Sequence, residues 1–289
     1  MTNVRNSIVT RFAALLLVPA ALMVAQAALA QTAPPPGSGP PVQGDIVTVG
    51  LGIGVTTDYA GARDYRIIPG GILIGTVAGH DFRLNGPQFF IDAIPNDPRR
   101  RVDIELGPVA GVSFNRTGEV SDSRIAALGE LDAAIELGVR GGAGVRGLLN
   151  RTDKLALAVT GIWDVAGAHR SYVISPSVEY STLAGRRTFM RLALTTEIVG
   201  KRWATYNFGI DAAGAAASGL ATHDPDGGLA SIGGNALVTY SLSGERTGWS
   251  VFGIASYKRL LGDIADSPIV RDTGSPRQLF AAFGVGYTF

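Results

Sequence analysis

The sequence predicts an all-β fold, a single transmembrane antiparallel β-barrel of about twelve strands, with ten as the alternative count. Three observations lead there. Between residues 45 and 289 apolar side chains recur at every second position, the period of an extended strand rather than the 3.6 of a helix. Glycine reaches 39 of 289 residues while charged residues are only 17%. That is about twice the usual glycine share, and it belongs to a tightly curved sheet rather than to a disordered chain. The last ten residues, FAAFGVGYTF, put Phe283, Val285, Tyr287 and Phe289 on one side and Ala282, Gly284, Gly286 and Thr288 on the other. That pattern suits a lipid-facing strand ending in an aromatic girdle.

Taken in chain order, the first thirty residues read as a secretory signal peptide. Arg5 and Arg11 form a basic start, Phe12 to Ala25 an apolar run, and Ala28-Leu29-Ala30 a small-residue cleavage site. The run is shorter than the roughly 20 residues a membrane helix needs, so the mature chain is expected to begin at Gln31. Cleavage removes two Arg and no acid, leaving 23 basic against 24 acidic residues. A near-neutral chain carries no electrostatic footprint for nucleic acid. Absence of Cys excludes disulfides, thiolate metal sites and lipid attachment at the cleavage site. Residues 31–44 are read as a flexible periplasmic leader, because Thr32 to Gly44 hold five Pro and three Gly with hardly any apolar side chain. Residues 45–289 remain for the barrel.

The first predicted strand places Val47, Val49, Leu51, Ile53 and Val55 opposite Thr48, Gly50, Gly52, Gly54 and Thr56. In Val102 to Asn115 the apolar set Val102, Ile104, Leu106, Ala110, Val112 and Phe114 opposes Asp103, Glu105, Gly107, Gly111, Ser113 and Asn115. Glu130 to Arg140 alternates likewise, as do Leu155 to Val165, Tyr172 to Tyr180, Met190 to Ile198 and Ile232 to Leu242. Trp249 to Tyr257 fits less well, since Phe252 and Ile254 land on the polar side. Asp58 to Ile94 can be cut in more than one way, and this ambiguity separates twelve strands from ten. Connections come in two lengths. Leu183–Arg186 and Ser243–Thr247 read as hairpin turns, whereas Arg116–Gly129, Lys201–Leu229 and Leu260–Gln278 are long and polar. Short periplasmic turns and longer outside loops are what outer-membrane barrels show.

With apolar faces toward lipid, Asp103, Glu105, Asp132, Glu136, Arg140, Asp164, Glu179, Arg191 and Glu197 are expected to point inward. The interior is then either filled, with the two Arg neutralising some carboxylates, or a cation-preferring passage. Three His, at 80, 169 and 223, do not sit on a strand face beside a Ser and an acid, so no catalytic set is assigned and the protein is not expected to be an enzyme. His223-Asp224-Pro225-Asp226-Gly227 reads as a turn rather than a calcium loop. No metal or cofactor is expected.

The terminal strand resembles those of bacterial outer-membrane barrels. This implies that Tyr287 and Phe289 form the signal read by the barrel-assembly machinery. Three further blocks resemble the MltA-interacting protein/OmpV family. They are Tyr59-Ala60-Gly61 with Asp64-Tyr65-Arg66 and Pro69; Tyr206 to Leu220 (YNFGIDAAGAAASGL); and Arg259 to Val270 (RLLGDIADSPIV) with Gly274-Ser275 and Gln278. Leu128 to Asp132 is similar to a fourth, and Gly214 and His223 depart from the Gln and Tyr of many members. The resemblance implies an outer-membrane barrel that acts as a scaffold joining a lytic transglycosylase to a penicillin-binding protein. Other members are tied to stress responses and adhesion, and the alternative is a small-solute channel or a surface sensor or adhesin of the outer membrane. Candidate loop and binding residues are Tyr59, Gly61, Tyr65, Asp263, Asp266, Ser267 and Pro268.

Overall fold

A computed structural model describes residues 45–289 apart from Pro98 and Arg246. The expected signal peptide (residues 1–30) and leader (31–44) lie outside the described residues. The strands are β1 (Ile46–Thr57), β2 (Tyr65–Val77), β3 (His80–Asn85), β4 (Gln88–Ile91), β5 (Val102–Ser113) and β6 (Ala134–Arg146). They continue with β7 (Lys154–Asp164), β8 (Tyr172–Ala184), β9 (Thr188–Val199), β10 (Gly228–Ser241), β11 (Gly248–Leu260) and β12 (Arg277–Thr288). Each pairs antiparallel with its neighbour, and β12 closes on β1. Twelve strands, not ten, result because Asp58 to Ile94 yields β2, β3 and β4. Closure leaves no terminal edge, and the Phe289 amide donates to the Val47 carbonyl across the seam.

Alternation sets the two faces. Leu51, Ile53, Ile104, Leu137, Leu157, Leu194 and Phe283 point outward and stay exposed, while Asp103, Glu105, Glu136 and Arg140 point inward and are buried. This inversion of the soluble pattern defines a wall whose solvent is lipid. Trp249, Tyr287 and Phe289 stack edge-on at the end where β1 begins and β12 finishes, the terminal end, with centroids 5.3 and 4.8 Å apart. Tyr65, Phe114, Trp163, Tyr172 and Tyr257 are outward and exposed near the opposite ends of their strands. The two groups bracket an apolar belt.

The turns between β8 and β9 and between β10 and β11 lie at the terminal end, and the long connections lie at the other. That loop end carries short helices: α1 (Ser123–Ala126), α2 (Lys201–Phe208), α3 (Ala212–Ser218), α4 (Gly262–Asp266) and α5 (Pro268–Arg271). Two boundaries differ from expectation. The strand read as Glu130 to Arg140 begins only at Ala134 and runs on to Arg146. The Leu131 amide bonds the Arg116 carbonyl within the loop end, so the alternation before Ala134 is not strand pairing. Phe252 and Ile254 do face inward, as their registers opposite Gly284 and Ala282 require.

Candidate functional site

Two places gather polar chemistry: the lumen, and the cap built by the loop-end connections. In the lumen Arg140 is the hub. Its Nε donates to Glu105 Oε1 at 2.8 Å and its Nη2 to Glu179 Oε1 at 2.6 Å, while Arg191 Nη2 reaches Glu179 Oε2 at 2.5 Å. Arg83 lies 3.7 Å from Glu105 and sits 4.6 Å above the Phe90 ring. Toward the terminal end Asp103 pairs with Lys154 and, at 3.0 Å, with Arg146. Toward the loop end Glu197 accepts from Lys258 at 3.0 Å and Ser231 at 2.6 Å, and Glu136 lies 3.4 Å from the buried His169 ring.

The lumen is therefore balanced rather than acidic. Arg83, Arg146, Lys154 and Lys258 supply bases that the sequence reading left out. Arg83 falls in the stretch with ambiguous strand boundaries, and Arg146 and Lys154 extend past the edges drawn for their strands. Asp132 is a correction: it is exposed in the connection before β6, and its carbonyl accepts from the Tyr206 hydroxyl at 3.0 Å. Asp164 sits at the end of β7, where its carboxylate accepts the amides of Ala166, Gly167, His169 and Arg170 and shapes that turn.

In the cap the three family-like blocks meet. Gln278 accepts from the Gly61 amide at 3.0 Å and donates to the carbonyls of Ala62 and Ser275 at 3.2 and 2.6 Å. Gly61 has φ of 94°, a left-handed value that favours glycine, and a Cβ on Gly274 would fall on the Gly61 carbonyl oxygen. Only two glycines allow these segments to cross so closely. Tyr59 is buried with its hydroxyl 3.1 Å from Thr273 Oγ1. Ser267, fully buried, donates from Oγ to the Phe208 carbonyl at 2.7 Å and accepts the Ile269 amide at 3.3 Å. Phe208, Ile210, Leu220, Ile264, Ile269 and Val270 fill the space around them.

Of the candidate binding residues, Tyr59, Gly61, Ser267 and Pro268 thus hold the cap together from inside. Asp263 and Asp266 are exposed on α4, and Asp263 receives His223 Nε2 on its carbonyl and the Asp226 amide on its carboxylate. Tyr65 faces outward at the upper aromatic group. Asp224 and Asp226 both grip Lys201, at 3.1 and 3.0 Å, and this pairing holds the Asp224 carboxyl below its ordinary range. One cap residue escaped the sequence reading. Arg116 is buried at a positive φ of 50°, its Nε and Nη1 have no hydrogen-bond partner among the described residues, and burial pushes its guanidinium pKa down.

A closed twelve-strand barrel with an apolar outer belt, aromatic groups at both margins and a polar interior is an outer-membrane protein. Residues 49–289 match the family described as MltA-interacting protein MipA, and the chain belongs to that family. No curated protein matches the chain. Among solved structures it is similar to the COG4313 outer membrane channel from Pseudomonas putida F1, with 12% identity, a TM-score of 0.44, and coverage of 90% of this chain and 100% of that one. It is also similar to the outer membrane channel DcaP of Acinetobacter baumannii, with 7% identity, a TM-score of 0.39, and coverage of 88% and 100%.

Proposed function

We propose that this barrel is a non-catalytic outer-membrane scaffold for peptidoglycan-remodelling enzymes, with its docking surface on the periplasmic rim. Membership of a family described as MltA-interacting carries the reading. The lumen favours it over the small-solute channel, because ion pairs centred on Arg140 cross the interior beneath a packed cap. At the terminal end Arg99, Arg100, Arg101, Arg151, Arg186 and Arg187 are exposed, together with Leu148 and Leu149 at 44% and 82% exposure. Such a rim suits a partner with an acidic patch around an apolar contact. A lytic transglycosylase is the partner proposed, with a penicillin-binding protein as the second enzyme joined. The mature chain is taken to begin at Gln31, with residues 31–44 as its leader.

The test is in-cell photocrosslinking from Leu149 and Ala184, both exposed at the rim, with the cap residue Asp266 as control. Recovery of murein enzymes from the rim positions alone is the expected outcome. Partners captured only through Asp266 would move the function to the cell surface, as a sensor or adhesin. Steady currents in planar bilayers would instead favour the channel.

A further inference from the structure

The wall is not equally tall all round. β2 pairs with β1 along its whole length, from Tyr65↔Thr57 to Thr76↔Ile46. On its other side it pairs with β3 only across Ile74 to Val77. β3 and β4 have just six and four residues and turn back at Gly86-Pro87. Tyr65 to Leu73 therefore carry one edge that no strand covers among the described residues. The opening is tallest along β2 and narrows toward β5, where the Pro87 carbonyl at the β3–β4 turn accepts the Val112 amide at 3.2 Å.

The gap lies below a roof. From the top of β5 the next connection crosses to the β1–β2 loop, where the Asn115 Oδ1 accepts the Ala60 amide at 2.9 Å and the Asp58 carboxylate accepts the Ser121 amide at 2.7 Å. Tyr65 stands at the level of the upper aromatic group, so the edge below it is at the depth of lipid chains. Both faces of β2 are open there: outward Ile67 is 75% exposed, inward Arg66 and Gly70 are exposed, and nothing lies within 4 Å of a Cβ placed on Gly70. Pro69 suits an edge, having no amide to leave unpaired. Bare backbone at this depth is tolerated where it is buried in protein or lines a water-filled cavity, and among the described residues nothing buries this edge.

Behind the gap the lumen is apolar. Ile68, Ile72 and Phe280 are on the inward faces of β2 and β12, and Arg66 is inward at the top. We propose that the gap is a side entrance from the outer leaflet into the barrel, and that it takes the alkyl chain of an outer-leaflet lipid. The chain lies against Ile68 and Phe280, and the polar head stays beside Arg66 at the top of β2. This inference is independent of docking at the opposite rim.

Photoactivatable benzoylphenylalanine at Ile68, on the inner face, tests it in cells. Ile67, on the outer face of the same strand, is the positive control, and Thr195, inward on the charged side, is the negative one. Only barrel that shows heat-modifiable migration is analysed by mass spectrometry. Lipid adducts at Ile67 and Ile68 but not at Thr195 are expected, and a second substitution, Gly70→Trp, is expected to abolish the Ile68 adduct by filling the gap. Lipid adducts at Ile67 alone would overturn the entrance. Undiminished Ile68 adducts in the Gly70→Trp protein would overturn this route into the lumen.

Discussion

Around β1, β2, β11 and β12 the lumen face is largely apolar below Arg66 and Lys258 at the loop end, whereas from β3 to β9 it is charged, although both belong to one closed sheet. On the apolar side Phe252 turns its ring inward over glycine. A Cβ on Gly50 would sit 2.8 Å from its Cε1, and one on Gly284 would sit 2.6 Å from its Cζ. On the charged side the ring beside Arg140 is Phe90, 5.8 Å away and covered by Arg83, and carboxylates and guanidinium groups satisfy one another around it. The difference teaches that a narrow barrel has two ways to fill its interior. Glycine makes room for a ring, whose burial contributes about 1.5–3 kcal/mol, or each charge brought in must bring its partner.

The apolar side should break most completely. Gly284→Leu would set its Cβ on the Leu51 carbonyl oxygen, and a backbone atom of the neighbouring strand cannot step aside. Loss of the folded, heat-modifiable band is expected. Gly50→Ala meets only side chains, Ile72 Cγ1 at 2.7 Å and Phe252 Cε1 at 2.8 Å. Its expected cost is about 1–3 kcal/mol, relieved by adding Phe252→Leu. Normal assembly of the Gly284→Leu protein would show that this wall is not close-packed.

The charged side should weaken rather than collapse. Arg140→Ala removes the cation that Glu105 and Glu179 share, leaving Arg83 at 3.7 Å as the cation beside Glu105 and Arg191 as the cation beside Glu179. Removing one partner of a buried pair costs about 3–5 kcal/mol. Thermal melts in detergent should show that loss, and planar bilayers should show new current through the vacated centre. Adding Glu105→Gln and Glu179→Gln is expected to lower the melting point further, since Arg83 and Arg191 then lose their carboxylates as well. A triple variant as stable as Arg140→Ala would mean that these charges are not coupled and that Arg140 acts by packing alone.

This contrast also explains what the sequence made legible. Period-two alternation in β1, β5 and β12 exposed the wall and its lipid face, because each strand repeats the same local rule. Glu105, Arg140 and Glu179 were readable as inward from that rule, but their pairing was not, since Arg83 sits on a strand too short to alternate clearly. Phe252 broke the rule because its fit depends on glycines of β1 and β12, far away in sequence. The cap was harder still. Tyr59, Gly61, Ser267 and Gln278 interlock over some two hundred residues of chain, and no periodicity marks such contacts. Isolated motif residues therefore looked like a ligand site.

A carboxylate held mainly by backbone amides, with the Tyr180 hydroxyl at 3.4 Å, provides the finest comparison with the arginine-bound ones. Asp153 closes the rim turn between β6 and β7, accepting the amides of Leu148, Leu149 and Asn150 at 2.8, 2.7 and 3.1 Å. Burial opposes its charge, but the amides of Leu149, Leu148 and Asn150 outweigh it and hold the carboxyl below its ordinary range. A depressed folded-state pKa gives stability that is fully present above the unfolded value, about 3.9, and is lost as pH falls through the lower folded value. Asp153→Asn should therefore melt earlier than the parent at pH 7, and the gap should close in acid. Both effects should be smaller than that of Arg140→Ala, because only one rim turn loosens. Melts recorded across the acid range decide it: a gap that stays constant to pH about 2 would mean that the turn depends on the shape of the Asp153 side chain and not on its charge.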